Sequence, residues 1–185
     1  GFKEIYDDSG TFPTGEWLEN FLDCVPYSNP VLGCNMRMVD APYEEMKRAN
    51  FRMILFGIES SNQSTLDRIN KGVKEEDIRF ITKASQAGLE CHGAFQFGYP
   101  WETMEEELRT LELAHRLLKN GVLKTAQASF HTPPNYSGDE RKRKFVNKLY
   151  DVKWNPEFLF NQLKDIKNWD DVKYLFKKIS SSIRK

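Results

Sequence analysis

Short apolar runs alternate with longer amphipathic segments through the first 135 residues, and this alternation constrains the fold more than any other feature. The predicted strands are Gly1–Tyr6, Val31–Met38, Arg52–Ile58, Leu89–Phe97 and Leu123–Phe130. The third, RMILFGI, is nearly continuous in apolar residues, the pattern of a parallel strand buried on both faces. Between them, helical periodicity is predicted over 14–23, 42–50, 64–70, 75–87 and 103–120. Thr14 and Thr103 stand at expected N-caps, and Gly88 and Gly121 at expected stops. Strand followed by helix, about five times over, argues for parallel βα units with right-handed crossovers. A closed eightfold barrel needs roughly 250 residues. The 185 residues therefore predict an open doubly wound sheet or a partial, TIM-like barrel of about five strands. Beyond residue 135 no strand candidate appears, and residues 136–185 are expected to form a helical C-terminal extension to the α/β unit of residues 1–135.

Composition closes off several function classes. Lysine plus arginine and aspartate plus glutamate both number 27, so no net charge favours nucleic acid or an anionic membrane as partner. No apolar run approaches the roughly 18 residues of a membrane span. The three cysteines, Cys24, Cys34 and Cys91, lack any CxxC or CxxxCxxC spacing, so the chain by itself carries no zinc or iron–sulfur ligand set. Their odd number, with no signal-peptide pattern in the first residues, predicts a reducing, cytoplasmic compartment. They are expected to be small buried apolar residues. Opening on Gly1 within an apolar stretch, the sequence reads as a piece of a longer protein.

In parallel α/β folds the chemistry gathers at the carboxyl ends of the strands. Here those ends carry Asp7-Asp8-Ser9-Gly10, then Cys34-Asn35-Met36-Arg37, then Glu59-Ser60-Ser61, then Gln96 with the loop Gly98–Thr103, and finally Phe130-His131. All five point to one rim, where a single ligand would touch them. Each has a purely structural counterpart. Asp7-Asp8 equally serves as a turn, Glu59-Ser60 as a helix cap, Arg37 as a partner for Asp40, and the glycine and proline of 98–103 as turn chemistry. A carboxylate directly after a buried strand nevertheless needs a partner, which favours a functional Glu59. Trp101 in the rim loop is placed to stack on a ring, and the backbone N–H groups of its loop to face an anion. His131 is the best placed histidine, while His92 and His115 read as structural. The basic run Arg141-Lys142-Arg143-Lys144 reads as a solvated helix face, and Trp17, Trp154 and Trp169 as packing anchors.

These motifs, in this order, resemble the second through sixth strands of the radical S-adenosylmethionine enzymes. The resemblance is greatest to the branch that often carries a cobalamin-binding domain and includes the anaerobic magnesium-protoporphyrin monomethyl ester oxidative cyclases. It rests on IYDDSGTF at 5–12, CNMRMVD at 34–40, FGIESSNQSTLDRINKG at 56–72, GAFQFGYPWET at 93–103 and AQASFHTPP at 126–134. The resemblance implies that Asp7, Asp8 and Ser9 meet the amino group of the methionine moiety and that Arg37 meets its carboxylate. It gives Glu59, assisted by Ser60, the ribose hydroxyls, and gives Gln96, Phe130 and His131 the adenosyl end. It further implies a 4Fe–4S cluster in the parent protein, reductive cleavage to a 5′-deoxyadenosyl radical, and an unknown small-molecule substrate, with the use of cobalamin open. The family's CxxxCxxC loop is absent and belongs just upstream of Gly1, Trp101 stands where many relatives have glycine, and TPPNYSG replaces a PFPGT-like stretch. The chain alone is therefore expected to be inactive. Two other readings fit the same rim: an aldolase- or lyase-like barrel using Glu59 and His131 as acid and base, and a non-catalytic binding module. An incomplete sheet also leaves a strand edge beside Gly1 open to pairing between copies.

Overall fold

The computed structural model describes residues 2–26 and 30–131. The expected helices of 136–185, the TPPNYSG loop, the basic run at 141–144, Trp154 and Trp169 lie outside the described residues. Five strands form one sheet: β1 (Glu4–Asp7), β2 (Val31–Met36), β3 (Phe51–Glu59), β4 (Glu90–Phe97) and β5 (Thr125–Phe130). Between them run α1 (Glu16–Cys24), α2 (Tyr43–Arg48), α3 (Gln63–Arg68), α4 (Ile78–Gln86, entered through a 3-10 turn at Glu75–Asp77) and α5 (Met104–Lys119).

Every neighbouring pair is parallel and the spatial order is β1-β2-β3-β4-β5. A doubly wound sheet reverses its strand order at a switch point. This sheet never reverses, so successive right-handed crossovers lay their helices on one face, as in a barrel wall. Of the two architectures compatible with the alternation, the partial barrel is the one adopted.

The consequence is visible along β3 and β4. Ile54, Phe56 and Ile58, with Cys91, Phe95 and Phe97, are buried in the core against Met46, Leu66, Ile81, Leu111 and Ala114 of the helices. The alternate residues Met53, Leu55, Gly57, His92, Ala94 and Gln96 are only half-buried among the described residues. The expectation that RMILFGI is covered on both faces is thus corrected. Its second face is the concave one, which no described helix covers.

Local chemistry fixes the ends. Thr103 caps α5 by accepting from the Glu106 N–H, and Glu106 reaches back to the Thr103 N–H at 2.7 Å. At α1 the expected Thr14 cap fails: the helix starts at Glu16, after Gly15 at φ 66°. At the amino edge of the sheet a chain of charges, Glu4–Arg52–Glu90–Lys124, links β1, β3 and β4 to the residue preceding β5. β1 is an edge strand, and Phe2 and Ile5 on and beside it are exposed.

Candidate functional site

Because all five strands are parallel, their carboxyl ends form one rim. Four strand spacings of about 4.8 Å make it roughly 19 Å wide, room for an extended nucleoside with a side arm.

Glu59 closes β3 in a left-handed conformation, φ 64°, beside a register shift against β4 between Gly57 and Glu59. Its Oε1 accepts from Lys71 Nζ at 2.6 Å, and both side chains are about three-quarters buried, at 21% and 25% exposure. Lys71 is the partner that the carboxylate required. A Cβ on Gly57 would lie 2.6 Å from Lys71 Nζ and 2.8 Å from Glu59 Oε1. The ion pair therefore sits directly over Gly57, on the concave face.

The same face carries a second carboxylate. Asn35 lies opposite Leu55 in register, two residues before Gly57, so it shares the face of the ion pair. Asn35 Nδ2 donates to Asp8 Oδ1 at 2.9 Å, and its Oδ1 accepts from the Tyr6 hydroxyl at 2.6 Å. Tyr6 lies over Gly33, where a Cβ would approach its ring to 2.6 Å. Burial, with Cys34, Asp8 and Asp7 adding to it, pushes the Tyr6 phenol up to about 12, so it stays a donor. Asp8 and Glu59 are thus held on one side of the sheet.

The remaining rim residues divide. Asp7 is committed to a local turn: its Oδ1 accepts the Ser9 N–H at 2.9 Å, and hydrogen bonds from Ser9 hold its carboxyl below the ordinary value. Arg37 follows β2 directly and is exposed, its Nη1 3.5 Å from where a Cβ on Gly72 would sit. Asp40, its expected partner, pairs instead with Lys83 at 3.0 Å. Gln96 accepts a short hydrogen bond from the Tyr99 hydroxyl. Phe130 stands in register with Phe97, and the His131 N–H donates to the Phe97 carbonyl at 2.7 Å.

Ser60 does not face the rim. It is 2% exposed and its hydroxyl donates to Glu102 Oε1 at 2.7 Å. Trp101 is likewise occupied: it stacks on Tyr99 at 5.1 Å, lies 5.8 Å from His131, carries the Arg68 guanidinium at 5.2 Å, and donates to Thr65. The Gly98 N–H, expected to face an anion, donates to Glu107 Oε1 at 3.1 Å. Glu59 and His131 have separate partners among the described residues, Lys71 for one and the Tyr99 and Trp101 rings for the other.

A 4Fe–4S cluster does not fit these residues. Cys34 and Cys91 are buried in the core, where desolvation pushes both thiols up to about 12, with Asp7 adding to the effect at Cys34. Cys24, expected buried, is exposed on α1. Among the described residues no three His, Cys, Asp or Glu side chains gather as metal ligands. No described helix is long and apolar enough to cross a membrane.

Comparison with known proteins connects this rim to a fold. No family model matches the chain. Over 73 residues, 39% of this chain, it is 36% identical to an uncharacterized methyltransferase of Pyrococcus horikoshii, of which it covers 16%. Among solved structures it is similar to coproporphyrinogen III oxidase (HemN) of Escherichia coli, described as a radical SAM enzyme. That match has a TM-score of 0.56 at 10% identity and covers 80% of this chain and 40% of that one. Methylornithine synthase (PylB) matches with a TM-score of 0.51 at 13% identity, over 83% of this chain and 49% of its own. The cobalamin-dependent S-adenosylmethionine radical enzyme OxsB, with aqua-cobalamin and S-adenosylmethionine bound, matches with a TM-score of 0.52 at 18% identity, over 82% of this chain and 23% of its own. The five parallel strands and their helices are therefore the partial-barrel fold seen in radical SAM enzymes, and the chain spans less than half the length of each of these four proteins.

Proposed function

We propose that these residues form most of the S-adenosylmethionine-binding wall of a radical SAM enzyme acting on a small-molecule substrate. One observation carries the reading: two carboxylates, Glu59 at the end of β3 and Asp8 just after β1, are held on the same concave face by the dedicated partners Lys71 and Asn35. Glu59 accepts hydrogen bonds from the ribose hydroxyls. Asp8, oriented by Asn35, meets the methionine ammonium, with Asp7 and Ser9 shaping its turn. Arg37, exposed and with no carboxylate partner among the described residues, meets the methionine carboxylate. Gln96 and the backbone at Phe130-His131 flank the adenosyl end, and Ser60 acts from behind the rim rather than on the ligand.

When bound, S-adenosylmethionine supplies the 5′-deoxyadenosyl radical of such enzymes. The cluster that reduces it needs ligands from outside these 185 residues, so no step of the cleavage is assigned to them and the chain alone is inactive. Residues 1–135 make the catalytic-fold unit and residues 136–185 an extension to it. The motifs at 56–72 and 93–103 support a parent protein of the branch that includes the magnesium-protoporphyrin cyclases, a branch in which a cobalamin domain is common.

Titration calorimetry of the 185-residue chain with S-adenosylmethionine tests the reading. Glu59→Gln keeps the size of the side chain and removes its charge, and is expected to weaken binding about tenfold. Equal affinities of the two proteins would remove Glu59 from the site.

A further inference from the structure

Behind Glu59 lies a buried polar network that the binding reading does not use. Glu102, in the loop between β4 and α5, is 7% exposed. One of its oxygens, Oε1, accepts three hydrogen bonds: from Ser60 Oγ at 2.7 Å, Asn62 Nδ2 at 3.0 Å and Thr65 Oγ1 at 2.7 Å. All three donors belong to the segment that follows β3. Ser60, Asn62 and Thr65 are themselves buried, at 2%, 7% and 0% exposure. The other oxygen, Oε2, is buried with no hydrogen-bond partner among the described residues.

That asymmetry is informative. A network serving only to satisfy a buried carboxylate spreads donors over both oxygens, because a bare buried acceptor is costly. Here every donor converges on one oxygen and every donor comes from the single segment Ser60–Thr65, which runs from the end of β3 into the first turn of α3. The arrangement serves that segment. The segment needs it, because Glu59 sits at φ 64°, a region that a long side chain populates sparsely and keeps only where its surroundings over-determine it. Immediately after Glu59, the Ser60 N–H donates to the Ile58 carbonyl at 2.9 Å, the Ser61 N–H to Thr110 Oγ1 at 3.0 Å and the Asn62 N–H to Ser60 Oγ at 3.1 Å. Ser60 is thus at once a donor to Glu102 and the acceptor that closes the next turn.

We propose that Glu102 is a positioning residue for Glu59, fixing the left-handed turn at the end of β3 and locking that turn to the β4–α5 loop beside Gln96 and Tyr99. It acts through Ser60, Asn62 and Thr65 and touches no ligand. The consequence for ligand binding rests on the reading of Glu59 as a ribose acceptor; the consequence for the turn does not.

The test uses the 185-residue chain and Glu102→Gln, with two readouts. The first is native-state amide hydrogen exchange by NMR. Protection at Ser60, Ser61 and Asn62 is expected to fall about tenfold, with Ile54 and Phe56 in the middle of β3 changing less than about twofold. A uniform change along β3 makes Glu102 an ordinary stabilising residue and overturns the proposal. The second is S-adenosylmethionine affinity in a double-mutant cycle with Glu59→Gln. Glu102→Gln is expected to weaken binding about tenfold in the wild-type background and less than about twofold in the Glu59→Gln background. Equal losses in both backgrounds overturn the proposal. If the wild-type chain does not bind S-adenosylmethionine, or Glu59→Gln binds it unchanged, the functional reading fails, and the exchange pattern alone decides for or against Glu102. Should Glu102→Gln not fold, Thr65→Val removes one donor, keeps the carboxylate, and is judged by the same local-against-uniform pattern.

Discussion

Adding one methyl group at Gly57 tests the placement of the Glu59–Lys71 pair without touching either residue. The new Cβ would lie 2.6 Å from Lys71 Nζ, 2.8 Å from Glu59 Oε1 and 3.5 Å from Lys71 Cε. The first two separations are about 1 Å inside ordinary contact. Gly57 lies within β3 and is not among the positive-φ residues, so alanine brings no backbone strain. Both crowded atoms end flexible side chains, so the ion pair yields and the strand stays. Losing a charge-assisted hydrogen bond between groups this well buried costs about 1–2 kcal/mol. Replacing glycine offsets about 0.4–1 kcal/mol by reducing unfolded-chain entropy. The expected net effect is a loss of up to about 1.6 kcal/mol, read as a lower urea midpoint at unchanged slope. In a Lys71→Ala background the clash with the ammonium is gone and Glu59 is free to swing aside. There the same substitution is expected to stabilise by about 0.4–1 kcal/mol. The change of sign is the diagnostic. An equal loss in both backgrounds would mean that the methyl group meets something other than the ion pair, and would refute the geometry.

Three further outcomes follow from the same structure. Hydrogen bonding from Lys124, then the charges of Lys124 and Arg52, hold the Glu90 carboxyl below its ordinary 4.5. A depressed acid stabilises the fold above the unfolded value and loses that contribution as pH falls through the folded one, so the urea midpoint of wild type is expected to drop more steeply below about pH 4.5 than that of Glu90→Gln; parallel pH profiles would contradict this. Ellman's reagent at pH 8 is expected to label Cys24 at once, and to label Cys34 and Cys91, buried with thiols pushed up to about 12, only after unfolding; rapid reaction of all three would refute the burial. Thr103→Ala removes the α5 cap and is expected to cost about 1 kcal/mol in urea unfolding, whereas no change would show that the cap contributes nothing.

What the sequence made legible follows from how directly a residue type dictates its surroundings. Apolar runs locate all five strands to within a few residues, and parallel order then collects Asp8, Arg37, Glu59 and Gln96 at one rim by topology alone. The need of Glu59 for a partner was also readable, though the partner was not: Lys71 follows by 12 residues and is returned to the rim by the short α3. Its signal was its place in the INKG end of the motif at 56–72 that also holds Glu59. The exposure of the concave face was hidden, because Met53 and Leu55 are apolar whichever side of a strand is covered. Ser60 reads as a ligand contact because loop residues after a strand look alike in sequence; its hydroxyl turns instead to Glu102, 42 residues further along. Cys24 and Thr14 failed for local reasons, an exposed helix end and a cap displaced by one residue to Gly15.

The central claim is that a nucleoside-bearing sulfonium lies on the concave face, across the strand tips. Transfer of magnetisation from the ribose protons of S-adenosylmethionine to the isotope-labelled chain measures this directly. The account predicts contacts at Glu59 and Gln96, with shifts of the Asn35 side-chain amide and none in the helix-facing core around Phe56 and Ile81. Contacts confined to the helical side of the sheet, with Glu59 and Asn35 unmoved, would contradict it.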